Sequence, residues 1–196
     1  PEKAGEEAAA RERAIYTAHA EYRDATDADW KGLDREYYQR CTDRVTALGF
    51  TPIGDVVNES ARRAMPSMKS VIRSFLNPER TIVASISHVR FYGVIRLLSF
   101  VGLLPGHVRC VEFESEFANG EFLTVSNMKE SIKTLPTPGI HRLLLPRSTP
   151  IDELMSAFTG ELSRLEKLDP PRSLRSFKSR EEVLDAMRRM DAKRGE

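Results

Sequence analysis

Residues 107 to 127, His-Val-Arg-Cys-Val-Glu-Phe-Glu-Ser-Glu-Phe-Ala-Asn-Gly-Glu-Phe-Leu-Thr-Val-Ser-Asn, alternate apolar and polar side chains on either side of Asn119-Gly120. A period of two marks a strand with one buried face, and Asn-Gly between two such runs is a strong short-range hairpin signal. Two registers compete. A two-residue type I′ loop pairs Phe117 with Phe122 and sets Leu123 and Val125 opposite Glu116 and Glu114, mixing carboxylates with aliphatics. A three-residue loop over 118 to 120, with Gly120 left-handed in a G1 bulge, pairs Ser115 with Leu123 and Phe113 with Val125. One face then collects Val111, Phe113, Ser115, Phe117, Leu123 and Val125, and the other Glu112, Glu114, Glu116 and Phe122. A one-residue slip exchanges the faces of a whole strand, so the register that segregates polarity is the predicted one.

The carboxylates at 112, 114 and 116 project side by side and invite a metal reading. A Ca²⁺ or Mg²⁺ site would need more oxygen ligands converging from elsewhere, whereas like charges on a wet strand face keep a sheet soluble. The expectation is a solvated acidic face, with no metal and no cofactor.

Charge narrows the partners. Of 196 residues, 30 are basic and 29 acidic, so the formal charge is +1 and no global field draws the chain to nucleic acid. Recognition must be local. Cys41 and Cys110 have no C-x-x-C spacing and read as free, buried thiols. The opening Pro1-Glu2-Lys3 and the Ala/Glu/Arg run after it lack the apolar segment of a secretion signal, which predicts a cytoplasmic location.

Residues 2 to 28 read as a helix with a thin apolar stripe of Ala8, Ile15, Ala18 and Tyr22. The run from Asp24 to Gly32 looks like a Ca²⁺ loop but carries Lys31 at the fifth ligand position and Tyr38 at the twelfth, so a capped turn is the better reading. Asp34 starts a second helix with Tyr37, Cys41, Val45 and Leu48 in a stripe, ended by Gly49. Residues 50 to 57 are a first strand, placed at an edge by Pro52 and Gly54. Residues 58 to 68 read as a basic loop, and 71 to 76 with 81 to 89 as a hairpin about Asn77-Pro78-Glu79-Arg80. Thr149-Pro150-Ile151-Asp152 opens the best amphipathic helix of the chain, with Leu154, Phe158, Leu162 and Leu165 in its stripe. Ser179 caps a last helix carrying Val183, Leu184, Met187 and Met190.

Residues 91 to 105 are apolar apart from Arg96, too short for a membrane span, and read as buried, with a shallow bilayer insertion through Leu103 and Leu104 or a partner-binding patch as alternatives. Basic residues gather near the C-terminus, Arg188 and Arg189 among them. Interleaved Glu181, Glu182, Asp185 and Asp191 favour a solvated, ion-paired face over a phosphate-binding one. Four histidines, His19, His88, His107 and His141, show no metal or catalytic spacing, although His88, His107 and His141 all fall at predicted strand ends where folding could gather them. No Walker loop, dinucleotide fingerprint or nucleophile elbow is present.

Leu48-Gly49-Phe50, Asn77-Pro78-Glu79 before a strand, and the 117 to 127 turn together resemble a pattern of uncharacterised bacterial α+β proteins, over roughly two thirds of the chain. The resemblance implies a fold and carries no activity. The expected architecture is α+β: N-terminal helices over 1 to 48, a core over 49 to 168 holding an antiparallel sheet of five to six strands with the amphipathic helix packed on it, and a linker and C-terminal helix over 169 to 196. A helix-grip fold enclosing a ligand cavity is the alternative. The expected function is a non-enzymatic interaction or regulatory module, engaging a protein partner or a second copy of itself through Arg96, Leu103, Leu104, Arg188 and Arg189. The alternative is a lipid or small-molecule binder at an anionic membrane surface.

Overall fold

The computed structural model describes residues 20–93, 107–128, 137–168 and 172–195. Seven strands form one sheet in chain order: β1 (Tyr22–Asp24), β2 (Thr51–Asn58), β3 (Met68–Leu76), β4 (Val83–Phe91), β5 (His107–Glu116), β6 (Phe122–Ser126) and β7 (Ile140–Leu144). Five helices accompany it among the described residues: α1 (Asp27–Trp30), α2 (Arg35–Ala47), α3 (Glu59–Ala64), α4 (Ile151–Glu166) and α5 (Arg180–Gly195). The fold is α+β, and the expected antiparallel sheet of five to six strands is corrected to a mixed sheet of seven among the described residues, in which only the last pair is parallel.

Both additions have simple causes. Tyr22, Arg23 and Asp24 pair with Asn58, Val57 and Val56, so a stretch expected to end a helix is a short strand. It covers only the far half of β2, and among the described residues no strand pairs with the outer edge of the half that holds Pro52 and Gly54, in line with the edge position expected for it. A bulge lies between those residues, and Gly54 has φ +139, with Arg180 Nε 3.0 Å from where a Cβ would stand. β7 runs parallel to β6, Phe122 pairing with Ile140 and Ser126 with Leu144, a partnership that a tight hairpin turn cannot make.

The hairpin register is the bulged one. Ser115 pairs with Leu123 and Phe113 with Val125, and Gly120 has φ +80. The β3–β4 hairpin closes through Asn77, whose side-chain carbonyl accepts from Thr81 N and Ile82 N at 2.8 Å. Residues 59 to 64 are a helical turn where a loop was expected, N-capped by Asn58 accepting from Ala61 N. Pro150 takes the N-cap of α4, whereas the Thr149-Pro150 pair predicts Thr149 in that place with Pro150 in the first turn.

The sheet is covered on both faces. Val71, Phe75, Ile86, Val111, Phe113, Leu123 and Val125 point to the front, where Tyr38 and Val45 of α2 and Leu154, Phe158 and Leu165 of α4 meet them. Aromatic rings fill this layer, Phe113 standing 5.7 Å from Phe50 and 6.2 Å from Phe158. On the back face Val56, Leu76, Val83, Phe122 and Ile140 are covered by Val183, Leu184, Met187 and Met190 of α5. Tyr22 of β1 packs against the same cluster, so β1 and α5 both close the back of the sheet.

Candidate functional site

The apolar front face turns cationic at one end. Antiparallel register stacks Lys69, Arg90 and His107 in one cross-strand row, and Val71, His88 and Arg109 in the next. Two adjacent tyrosines of α2 hold this end. The Tyr38 hydroxyl accepts from His88 N at 2.8 Å and donates to Val71 O at 2.5 Å, and the Tyr37 hydroxyl donates to Cys110 O at 3.0 Å. Burial raises both phenols above their ordinary range.

His88 is 5% exposed. Its Nδ1 accepts from Asp34 N at 3.0 Å, which leaves the neutral ring's proton on Nε2. Burial, reinforced by the nearby Arg109 charge, pushes this imidazole down to about 4, so it is neutral near pH 7. The His107 ring stands edge-on to it, centroids 5.7 Å apart, and is likewise shifted down by burial and by Arg109. Arg109 lies over the Tyr37 ring and donates through Nη2 to Asp34. Asp34 also accepts from Tyr37 N as the N-cap of α2, and that bond is the first cause of its lowered pKa. His88 and His107 thus converge as their strand-end positions allowed. His141 does not join them and contacts Glu121 and Arg172 instead.

Beside these rows lies an open cleft of about 560 Å³, lined by Lys31, Arg62, Lys69, Arg90, Asp29 and Tyr92 among others. Asp29 is its only carboxylate and is already held by Arg23 through two bonds of 2.7 and 2.9 Å, which drive its pKa well below the usual range. Lys69 Nζ donates to the carbonyls of Ala28 and Lys31 at 2.6 and 3.0 Å, and Arg90 donates to Gly32 O. Among the described residues Lys31, Lys69 and Arg90 form no ion pair. Pro66, Met68, Val57 and Ala61 give the cleft an apolar floor. Arg62 falls in the stretch read as a basic loop and Lys31 in the rejected Ca²⁺ loop, but Lys69 and Arg90 do not stand out in the sequence. The signal was the β3–β4 pairing itself, which sets Lys69 opposite Arg90 once Leu76 meets Val83.

The acidic strand face is corrected outright. Glu114 and Glu116 are 7% and 2% exposed, because α5 lies over them. Arg189 grips Glu116 through bonds of 2.9 and 2.6 Å, and Arg194 reaches Glu112 at 3.1 Å. Glu114 has no such partner among the described residues, and burial pushes its carboxyl up to about 8, with Glu112 adding to the shift and Arg194 opposing it. Asp191, facing it from α5, is also raised by burial and accepts from Tyr22 Oη at 2.6 Å and Asn58 Nδ2 at 3.3 Å. Of the expected interaction residues, Arg189 is occupied by Glu116 and Arg188 by Glu181 and Asp185. Arg96, Leu103 and Leu104 lie outside the described residues.

Among the described residues no cluster of three His, Cys, Asp or Glu side chains could hold a metal, and no helix is long and apolar enough to cross a membrane. Comparison with protein-family models, with curated protein sequences and with solved structures returns no match.

Proposed function

We propose that this chain is a non-enzymatic binding module whose cleft takes a small anionic molecule, in keeping with the small-molecule alternative drawn from the sequence. The observation that carries the reading is the charge balance of the cleft: Lys31, Lys69 and Arg90, which form no ion pair among the described residues, line it against a single carboxylate already paired with Arg23, while Arg62 beside them is held by Glu59 at 2.9 Å. Cations gathered in a concave, partly apolar wall focus a positive potential that a chain of net charge +1 does not otherwise have. The cleft also falls within the usual ligand-site range of about 300–1,000 Å³. Tyr92 and Met68 offer apolar surface to the body of the ligand while the cations take its anionic group. In a regulatory setting, occupancy would be read by a protein partner. Leu168 is the one large apolar side chain markedly exposed among the described residues, so they offer no greasy patch to favour direct apolar docking.

Titration calorimetry and thermal unfolding with inorganic pyrophosphate at low salt test the reading. At ten times its Kd the probe should stabilise the fold by about 1.4 kcal/mol, and added salt should weaken it. Lys31→Glu and Lys69→Glu should each remove the response. Binding that persists unchanged in both variants, or a wild-type chain indifferent to pyrophosphate, refutes the cleft as the site.

A further inference from the structure

We infer, on the reading that the cleft is the anion site, that α5 regulates it: β1 ties the two together, so that anion occupancy of the cleft and docking of α5 favour each other. β1 is three residues long, lies at the end of the sheet and pairs only with β2 among the described residues. Alternation along so short a strand sends Tyr22 and Asp24 to the back, where α5 lies, and Arg23 the other way, toward the cleft wall. The Tyr22 hydroxyl donates to Asp191 Oδ2 at 2.6 Å, and Asp24 accepts from Arg180, whose guanidinium crosses β2 over Gly54. Arg23 donates to both oxygens of Asp29 at 2.7 and 2.9 Å and to Glu59 of α3. Asn58, itself a cleft residue, makes a second tie. It caps α3, which brings Ala61 and Arg62 to the cleft, and its Nδ2 donates to Asp191 at 3.3 Å. The ties through Asp191 are the stronger ones, since Asp191 is buried, whereas Asp24 and Arg180 are substantially exposed and such a pair contributes little.

Two arrangements of α5 differ in the charge the cleft presents. With α5 docked, β1 is pinned from behind and Arg23 neutralises Asp29, the only carboxylate lining the cleft. With α5 lifted, Tyr22 and Asn58 lose Asp191, Asp24 loses Arg180, and a three-residue strand paired on one side no longer fixes Arg23. Asp29 then stands uncompensated beside Lys31, Lys69 and Arg90, a negative charge where the anion would bind. A ligand that binds the first arrangement better than the second stabilises it, and the coupling is reciprocal. α5 is the element to open because Glu114 and Asp191 oppose one another beneath it, against the hold of Arg189 on Glu116 and of Arg194 on Glu112.

Hydrogen exchange of the full chain followed by NMR, with and without saturating inorganic pyrophosphate, tests the coupling, and calorimetry of the same samples reads the binding. Amides 183 to 191 of α5 should exchange about fivefold more slowly with the anion bound, while those of α4 are unmoved. Tyr22→Phe combined with Arg180→Gln, neither residue lining the cleft, should abolish the slowing yet leave Kd within about twofold, because α5 still spends most of its time docked. Slowing that survives in that variant, or that is equal in α4, overturns the inference. So does pyrophosphate binding with α5 exchange unmoved, an outcome that leaves the cleft reading standing. A chain that binds no pyrophosphate removes the cleft reading and the inference with it. Should the double variant fail to fold, Tyr22→Phe alone, which removes a single hydroxyl, takes its place.

Discussion

Raising the pH should loosen this fold through one carboxyl group. Glu114 stands in a cross-strand row with Leu76, Val83 and Thr124, roofed by α5. Its carboxyl titrates near 8 in the fold, against 4.5 for an ordinary glutamate. Between those values the native state keeps a proton that the unfolded chain has released, so stability falls as pH rises from 4.5 through 8 and levels off above. At about 1.4 kcal/mol per pH unit the loss is at most about 5 kcal/mol, a large part of the stability of a single domain. Asp191, also raised by burial, adds loss of stability with rising pH in the same sense, and Arg194 works against both shifts. Glu114→Gln keeps the shape and the neutral polar head and removes the titration. Urea unfolding of the two proteins from pH 5 to pH 9 should give curves that lie close at the acid end, separate steadily up to about pH 8 and keep a constant gap above it, the variant being the more stable by several kcal/mol, about 5 at most. Parallel curves, or a variant that loses stability at every pH, would refute the reasoning.

Three further outcomes follow from packing and backbone geometry. Gly120→Val puts a β-branched residue at φ +80 and should cost about 1–2 kcal/mol in chemical denaturation, with the hairpin amides exchanging faster. Arg189→Met leaves Glu116, 2% exposed, with only the weaker Arg175 contact at 3.5 Å, and should lower stability by about 3 kcal/mol while making α5 more open to proteolysis. Phe158→Ala empties the layer between α4 and the sheet and should cost about 3–5 kcal/mol without changing the far-ultraviolet circular dichroism.

Local signals were read well wherever one residue's chemistry decides the conformation. Asn119-Gly120 and the alternation around it led to the bulged register, because a slip would have buried the wrong face. Asp34 opening α2, Ser179 before α5 and the stripe of α4 followed in the same way. The errors lie where distant segments meet. Residues 22 to 24 carry too little pattern to be seen as a strand, and pairing with β2 is what makes them one. The parallel partnership of β6 and β7 is a pairing direction, which periodicity does not encode.

The acidic face shows the division most clearly. That Glu112, Glu114 and Glu116 share one side of a strand is a consequence of period two and could be written down from the residues alone. Whether that side is wet or dry depends on α5, some 65 positions or more further along the chain, and on Arg189 and Arg194 arriving above two of the three carboxylates. The cation rows behave alike: the hairpin pattern aligns Lys69 with Arg90, but His107 joins them only when β5 docks beside β4. Side-chain direction is a local property of the backbone, and so it is legible in sequence. Burial, charge balance and the shift of a titrating group belong to the neighbours that the rest of the chain brings, and only the tertiary structure supplies those.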